Sequence, residues 1–209
     1  MLADRLEKQD GSSSLERLRA QDLLVDALTR NGKAGAPDTL ALAERVVSAK
    51  EQLFDRDDLE IATSLHHLGA VHTERGEFSA SIPFHERALS IRQKILDPND
   101  PAVADSLDYL ALPLIRLQRF ADARQRLERS RAIREPLADH EPLRLARTLD
   151  LCALLERYAG NYSDASSLAE RSLEIRHRLA PDHPEMVLSL NTKADIQFLR
   201  GDKKGAQLT

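Results

Sequence analysis

The side chains that could carry out chemistry in this sequence are its histidines, its single cysteine and two aspartates in matching places. His66 and His67 are adjacent, so on a helix they point about 100° apart, and the chain contains neither an HxxxH nor an HExxH spacing. Zinc usually takes three or four converging ligands. The histidines therefore predict no metal site.

The cysteine and the two aspartates do not form a recognisable catalytic group either. Cys152 precedes the small residue Ala153 at a predicted core position, whereas a nucleophile needs an exposed and activated thiolate. Asp108 and Asp150 would lie roughly 10 Å apart on packed helices, where two carboxyl groups could act as a general acid and base. No glycine-rich phosphate loop or cofactor motif accompanies them. We therefore expect no catalytic residues, no cofactor and no enzymatic activity.

The elements that position these residues follow from an internal repeat of 42 residues. Four similar heptads, ERVVSAK, ERALSIR, ERSRAIR and ERSLEIR, begin at Glu44, Glu86, Glu128 and Glu170. Aromatic residues recur at the same interval, at Phe78, Phe120 and Tyr162. A leucine followed four residues later by a small residue recurs as Leu65/Gly69, Leu107/Ala111, Leu149/Ala153 and, 41 residues on, Leu190/Ala194. Several series in one register indicate a repeat architecture.

Each unit reads as two helices, here called helix A and helix B. IATSLHHLGAVHTERG places Leu65, Leu68, Gly69 and His72 on one face of an amphipathic helix A, and Gly76 ends it. The heptad lies in the middle of helix B, where its opening Glu-Arg pair is expected at the surface. Proline-rich breaks such as DPNDP then separate one unit from the next. The predicted fold class is all-α.

These boundaries predict one domain with a short leading segment. We expect residues 1–14, which include GSSS, to form a flexible lead-in. Residues 15–209 are expected to form a single solenoid. Its predicted repeats span 15–58, 59–100, 101–141 and 142–183, with a partial repeat at 184–209.

The pattern of leucine, small residue, glycine, aromatic residue and alanine resembles the tetratricopeptide repeat, whose usual period is 34 residues. The 42-residue period in SLHHLGAVHTERGEF…ERALSIRQKILDPNDP and in ERSLEIRHRLAPDHPEMVLSL is similar to the kinesin light chain type. The resemblance covers about residues 20–209. It implies a right-handed superhelix whose A helices line a concave groove that binds a peptide.

On this resemblance, the groove is formed by the stripe of each helix A that faces away from helix B. Its predicted members are Thr63, His66, Ala70, Thr73, Glu74, Asp105, Asp108, Leu112, Arg116, Arg147, Asp150, Leu154, Arg157, Tyr158, Asn191 and Asp195. Kinesin light chains often carry asparagine directly after the repeated leucine, and only Asn191 matches that pattern here. Asp108 and Asp150 at this place favour a basic ligand. The groove arginines could bind carboxylates or phosphates, or could lie in solvent.

Composition excludes some classes of partner. The net charge is −4 and the isoelectric point is about 6.0, which argues against a general nucleic-acid-binding protein. The amino-terminal residues lack the apolar segment of a signal peptide, and no stretch approaches the roughly 20 apolar residues of a membrane span. One cysteine fits a reducing compartment. We expect a soluble, cytoplasmic protein.

The predicted function is a non-catalytic scaffold that binds a peptide or a helix of a partner protein in the groove. Two alternatives remain at this stage. The chain could be the amino-terminal regulatory segment of a larger signalling protein. It could also self-associate, because the last repeat ends before its helix B and would leave Ile196 and Leu199 on helix A uncovered.

Overall fold

The helices follow one another in pairs along the chain. The computed structural model describes residues 2–179 together with 190, 191, 193–195 and 198, and the side chains among these from residue 14 onward. Residues 2–179 form the helices α1 Leu2–Arg30, α2 Pro37–Leu53, α3 Leu59–Glu74, α4 Phe78–Ile95, α5 Pro101–Arg116, α6 Phe120–Arg134, α7 Pro142–Tyr158 and α8 Tyr162–Leu179. A short 3-10 helix, Glu135–Leu137, follows α6.

Each odd-numbered helix is a helix A and packs against the helix B that follows it. The short connections between partners make each pair an antiparallel helical hairpin. The all-α fold of repeated helix pairs, predicted from the sequence, is confirmed.

The chain divides into two compact units, Met1–Leu96 and Asp97–Thr209. At the amino terminus, α1 already begins at Leu2. The helix therefore includes the segment 1–14, apart from Met1, that the sequence assigns to a flexible lead-in.

Local sequence explains where the helices begin. The carboxylates of Asp58 and Asp100 each accept a hydrogen bond of 2.7 Å from the backbone N–H two residues later, which caps α3 and α5. Pro101 and Pro142 each occupy the first position of a helix A, and Pro37 occupies the first position of the helix B α2, where the missing N–H costs little. The helices α4, α6 and α8 begin at the recurring aromatic residue.

The turn from helix A to helix B requires one residue with a positive φ angle. Gly76 and Gly160 take this conformation with φ of 76° and 85°, which glycine adopts without steric cost. The equivalent residue of the intervening repeat is Gln118, with φ of 59°. This repeat makes the same turn with a side chain that disfavours it.

The recurring leucines and small residues form the cores of the two units. Leu65, Leu107 and Leu149 are each no more than 1% exposed. The small residues Ala111, Ala153, Ser81, Ala123 and Ala165 are fully buried. Small side chains let helix A and helix B approach closely, which explains why the sequence repeats them.

The heptads are scaffolding, and their last residue is a buried cation. Their first glutamate is exposed in all four repeats, whereas the last residues Lys50, Arg92, Arg134 and Arg176 are buried. Lys50 Nζ lies 2.5 Å from Asp22 and 2.7 Å from Glu60. Since a buried charge is tolerated only with partners, the ion pairs of Lys50, Arg134 and Arg176 tie their B helices to neighbouring segments.

Candidate protein-binding surface

In the second unit, several predicted groove residues that reach solvent lie on α5 and α7. Arg116 and Tyr158 are exposed, while Asp105, Leu112 and Arg147 are half-buried. Asp105 is already bonded to two arginines, at 2.5 Å from Arg134 and 2.7 Å from Arg144. Its charge is therefore neutralised within the protein.

The clearest pair on this face joins Arg147 of α7 to Tyr109 of α5. The guanidinium carbon lies 4.0 Å from the centroid of the tyrosine ring, and Nη1 donates a 2.8 Å hydrogen bond to the tyrosine hydroxyl. A cation held against an aromatic ring is stabilised by the ring quadrupole. The pair links the A helices of two successive repeats.

A second arginine–tyrosine group lies further along the same helices. Arg116 Nη1 donates a 2.7 Å hydrogen bond to the hydroxyl of Tyr158. Arg157 lies over the same ring at 4.7 Å and donates a 3.1 Å hydrogen bond to Asp195. Tyr158 therefore orients two guanidinium groups.

We call the set formed by Tyr109, Leu112, Arg116, Arg147, Leu154, Arg157 and Tyr158 the arginine–tyrosine surface. On α5 its members are spaced three and four residues apart. On α7, Arg147, Leu154 and Tyr158 are spaced seven and four residues apart, and Arg157 lies next to Tyr158. The members with these spacings share one face of their helix. Three arginines and no acid belong to it. This part of the second unit presents positive charge, planar hydrogen-bond donors and some apolar area.

Asp108, predicted to line the groove, is buried instead. It is 2% exposed and accepts hydrogen bonds from Ser130 at 2.6 Å and from Thr148 at 2.8 Å. Burial raises the pKa of the carboxyl group to about 6, and the two hydroxyl donors partly oppose that rise. Its oxygens are occupied inside the unit and do not face a ligand.

Asp150, the equivalent residue of the next repeat, is buried in a different way. It is 3% exposed and accepts a 2.8 Å hydrogen bond from the buried Arg176. The expectation of a basic ligand depended on these two acids being exposed. The structure corrects it, because both carboxyl groups point into the helix packing.

In the first unit, the predicted groove residues lie on α3. His66 is half-buried, with its ring centroid 5.4 Å from that of His67 and 5.9 Å from that of His85. Thr63 and Ala70 are half-buried and Glu74 is exposed. Thr73 is buried and donates its hydroxyl to the carbonyl of Gly69, so its side chain serves helix packing.

The last predicted groove residues, Asn191 and Asp195, are exposed. Ile196 and Leu199, on which the prediction of an uncapped, self-associating end depends, lie outside the described residues.

Other groups that could do chemistry are poorly suited to it. Cys152 is half-buried, and burial, with the nearby Asp108 carboxyl group, raises the pKa of its thiol to about 12. Over the described part of the chain, no group of three or more His, Cys, Asp or Glu side chains is placed to hold a metal ion. No helix there is long and apolar enough to cross a membrane.

Sequence reasoning did not identify Tyr109 as part of the surface. The signal was present, since Tyr109, Leu112 and Arg116 have the spacing of one helix face. Tyr109 directly follows Asp108, and two adjacent residues on a helix point in different directions. Because Asp108 was assigned to the groove, Tyr109 was not.

Comparison with known families gives a match to the tetratricopeptide repeat over residues 60–135 and 102–178. The two matches together cover more than half of the chain. No curated protein matches the chain by sequence.

Solved structures with similar folds share little sequence with this chain. The nearly identical TPR-like repeats of a Podosopora anserina protein assigned as a kinesin light chain superpose with a TM-score of 0.70 at 21% identity, covering 93% of this chain and 92% of that one. BtubC (BKLC) from P. vanneervenii gives 0.70 at 17% identity, covering 96% and 85%. The apo form of RapI gives 0.71 at 15% identity, covering 92% and 67%. These similarities concern the fold.

Proposed function

Because the chain belongs to the tetratricopeptide repeat family, we propose that it is a non-catalytic scaffold that binds a peptide or a helix of a partner protein along its A helices. Repeats of this family generally mediate protein–protein interactions. The observation that supports a specific location is the arginine–tyrosine surface of α5 and α7. A cytoplasmic location is part of the proposal, supported by the single cysteine.

The surface is suited to binding because its arginines are held before any partner arrives. Arg147 is fixed by Tyr109, and Arg116 by Tyr158. Immobilising a flexible side chain costs roughly 0.5–1.5 kcal/mol at an interface. Arginines that are already oriented avoid much of this cost, and arginine and tyrosine are enriched among the residues that dominate binding energies.

The charge of the surface favours a partner that bears carboxylates. Guanidinium groups bind carboxylates through two parallel hydrogen bonds. Leu112 and Leu154, both half-buried, add apolar contact between the charged groups. The proposed ligand is therefore a peptide that combines acidic side chains with apolar ones.

A binding screen with a charge-matched control tests this proposal. Wild-type protein is screened against a peptide array, and the selected peptides are measured by fluorescence anisotropy with the variants Arg116→Gln/Arg147→Gln and Arg45→Gln/Arg178→Gln. Both variants lose two positive charges, and Arg45 and Arg178 are exposed on B helices. Asp108 and Asp150 are unsuitable targets because their substitution would disturb packing.

We expect the Arg116→Gln/Arg147→Gln variant to bind at least tenfold more weakly, and the control to stay within about twofold of wild type, at matched salt concentration. An equal loss in both variants would mean that net charge alone attracts the peptides. Unchanged binding in both would place the peptide elsewhere.

A further inference from the structure

A buried carboxyl group joins three helices of the second unit. Asp108 lies on α5, and its two hydrogen-bond donors come from different helices, Ser130 from α6 and Thr148 from α7. Helices α5 and α6 form one repeat and α7 begins the next. Asp108 therefore contributes to the contact between repeats as well as to the packing within one.

Both donors to Asp108 are neutral hydroxyl groups, which distinguishes it from Asp150. Asp150, 42 residues later, is bonded to the guanidinium of Arg176. The counterpart of Arg176 beside Asp108 is Arg134, and that arginine is bonded to Asp105 and Glu141. One repeat position thus holds an aspartate with a cation in one case and an aspartate with hydroxyl groups in the other.

The hydroxyl groups can accommodate either charge state of Asp108. When the carboxyl group is ionised, Ser130 and Thr148 both donate to it, at 2.6 Å and 2.8 Å. When it is protonated, it can donate to one of these hydroxyl oxygens, which then turns its own hydrogen to a backbone carbonyl. Such carbonyls are present, at Ala104 for Ser130 and at Arg144 for Thr148.

The charged and titratable groups nearest to Asp108 come from each helix that packs against α5. Arg134 of α6 and Arg147 of α7 favour the ionised carboxylate, and the Cys152 thiol of α7 lies within range of its charge. Burial outweighs the two hydroxyl donors, Ser130 and Thr148, and both arginines, and it raises the pKa of Asp108 from 3.8 to about 6.

We propose that Asp108 is a proton-dependent joint between two successive repeats, which holds α5, α6 and α7 together more tightly when its carboxyl group is protonated. The carboxyl group binds its proton more tightly in the folded than in the unfolded chain. Stability from this group is therefore highest at acidic pH, and it is lost as the pH rises from 3.8 to about 6. This is the reverse of ordinary acid denaturation.

The first measurement titrates the carboxyl carbon of Asp108 by NMR in the folded wild-type chain, with assignment through the backbone. A midpoint near 6 is expected. A midpoint at or below the ordinary value of 3.8 would overturn the proposal. This measurement needs no variant and no ligand, so it is independent of the proposed binding function.

The second measurement compares urea unfolding of wild type and Asp108→Asn at pH 7 and pH 5. The amide keeps the shape of the group but cannot ionise. Relative to this variant, the folding constant of wild type should rise about tenfold from pH 7 to pH 5. If the folding constant of wild type relative to that of Asp108→Asn stays constant or falls from pH 7 to pH 5, the proton-dependent joint is contradicted.

Asp150→Asn is the matched control, since it removes the equivalent carboxyl group from the next repeat. Arg176 gives Asp150 a bonded cation, which Asp108 does not have. The folding constant of wild type relative to that of Asp150→Asn should therefore not rise from pH 7 to pH 5. A rise of the same size in both comparisons would show a general effect of acid on buried aspartates and would sink the specific role of Asp108.

Discussion

The imidazole ring of His85 on α4 lies directly over Gly69 on α3. A Cβ atom added to Gly69 would come within 2.6 Å of Cε1 of His85 and 2.8 Å of both ring nitrogens. His85 is buried, and its burial lowers its pKa to about 4, so the ring packs in its neutral form. The same two positions in the next repeat hold Ala111 and Leu127, so the glycine is needed only where the histidine is present.

Gly69→Ala should therefore destabilise the chain by about 1–3 kcal/mol, the usual cost of adding a methyl group to a filled core. In a helix without such a contact, replacing glycine with alanine stabilises by about 1 kcal/mol. A loss of stability in Gly69→Ala would therefore identify the clash with His85 as its cause. The measurement is the free energy of urea unfolding. In a His85→Ala background the added methyl group should become neutral or stabilising. A cost that persists in that background would contradict the assigned contact.

Gln118→Gly should stabilise the second unit by about 0.5–1 kcal/mol, because glycine adopts the positive φ of this turn without strain. Thermal and urea unfolding measure the gain. The equivalent turns supply the opposite test, since Gly76→Ala and Gly160→Ala place a side chain in the same conformation. A Cβ atom at either glycine has open space around it, so any loss reports backbone conformation alone. Stabilisation by alanine at those positions would contradict the argument.

The fold could be predicted from the sequence because its determinants recur. Leu65, Leu107 and Leu149 each occupy the same place in a helix pair, so an error in judging one helix is corrected by the others. The helix starts at proline were equally visible, since proline acts through local geometry, whereas the capping role of Asp58 and Asp100 was not predicted.

The candidate site could be predicted only in part. Helix periodicity assigned Arg116, Arg147 and Tyr158 to one face, but it could not decide the exposure of Asp108, which borders the core. Asp108 and Tyr109 are adjacent and point about 100° apart, so the choice of which one faces solvent depends on the rotation of the helix about its axis. The burial of the last heptad residue could not be predicted either. A recurring cation such as Arg176 is equally consistent with a solvent-exposed position until its partner is known.

Glu135 should make stability depend on acid in the ordinary direction. Arg171 donates two hydrogen bonds to its carboxylate, at 2.7 Å and 2.6 Å, and Arg131 donates a third. Together these donors, Arg171 foremost, lower the pKa of Glu135 to about 2, although burial opposes them. Since the folded chain favours the ionised form, this stabilisation is complete above an unfolded pKa of 4.5 and is lost as the pH falls to about 2.

The difference in unfolding free energy between wild type and Glu135→Gln should therefore be constant at neutral pH and shrink below about pH 4.5. Glu174→Gln, at an exposed position of α8, serves as the control and should differ little from wild type at any pH. If the difference for Glu135→Gln stays constant down to pH 2, the contact with Arg171 does not contribute as described.

Lys50 gives the largest predicted effect in the first unit. Its ammonium group is fully buried and lies 2.5 Å from Asp22, 2.7 Å from the Glu60 carboxylate and 3.2 Å from the Glu60 carbonyl. Lys50→Met keeps the length of the side chain but leaves the buried Asp22 without its cation. Removing one partner of a buried ion pair typically costs about 3–5 kcal/mol, so urea unfolding should show a loss of this size.

Lys33→Met, at an exposed lysine, should cost less than about 0.5 kcal/mol. Similar small losses in both variants would mean that Ser64 and His67, which also contact the Asp22 carboxylate, satisfy it without Lys50.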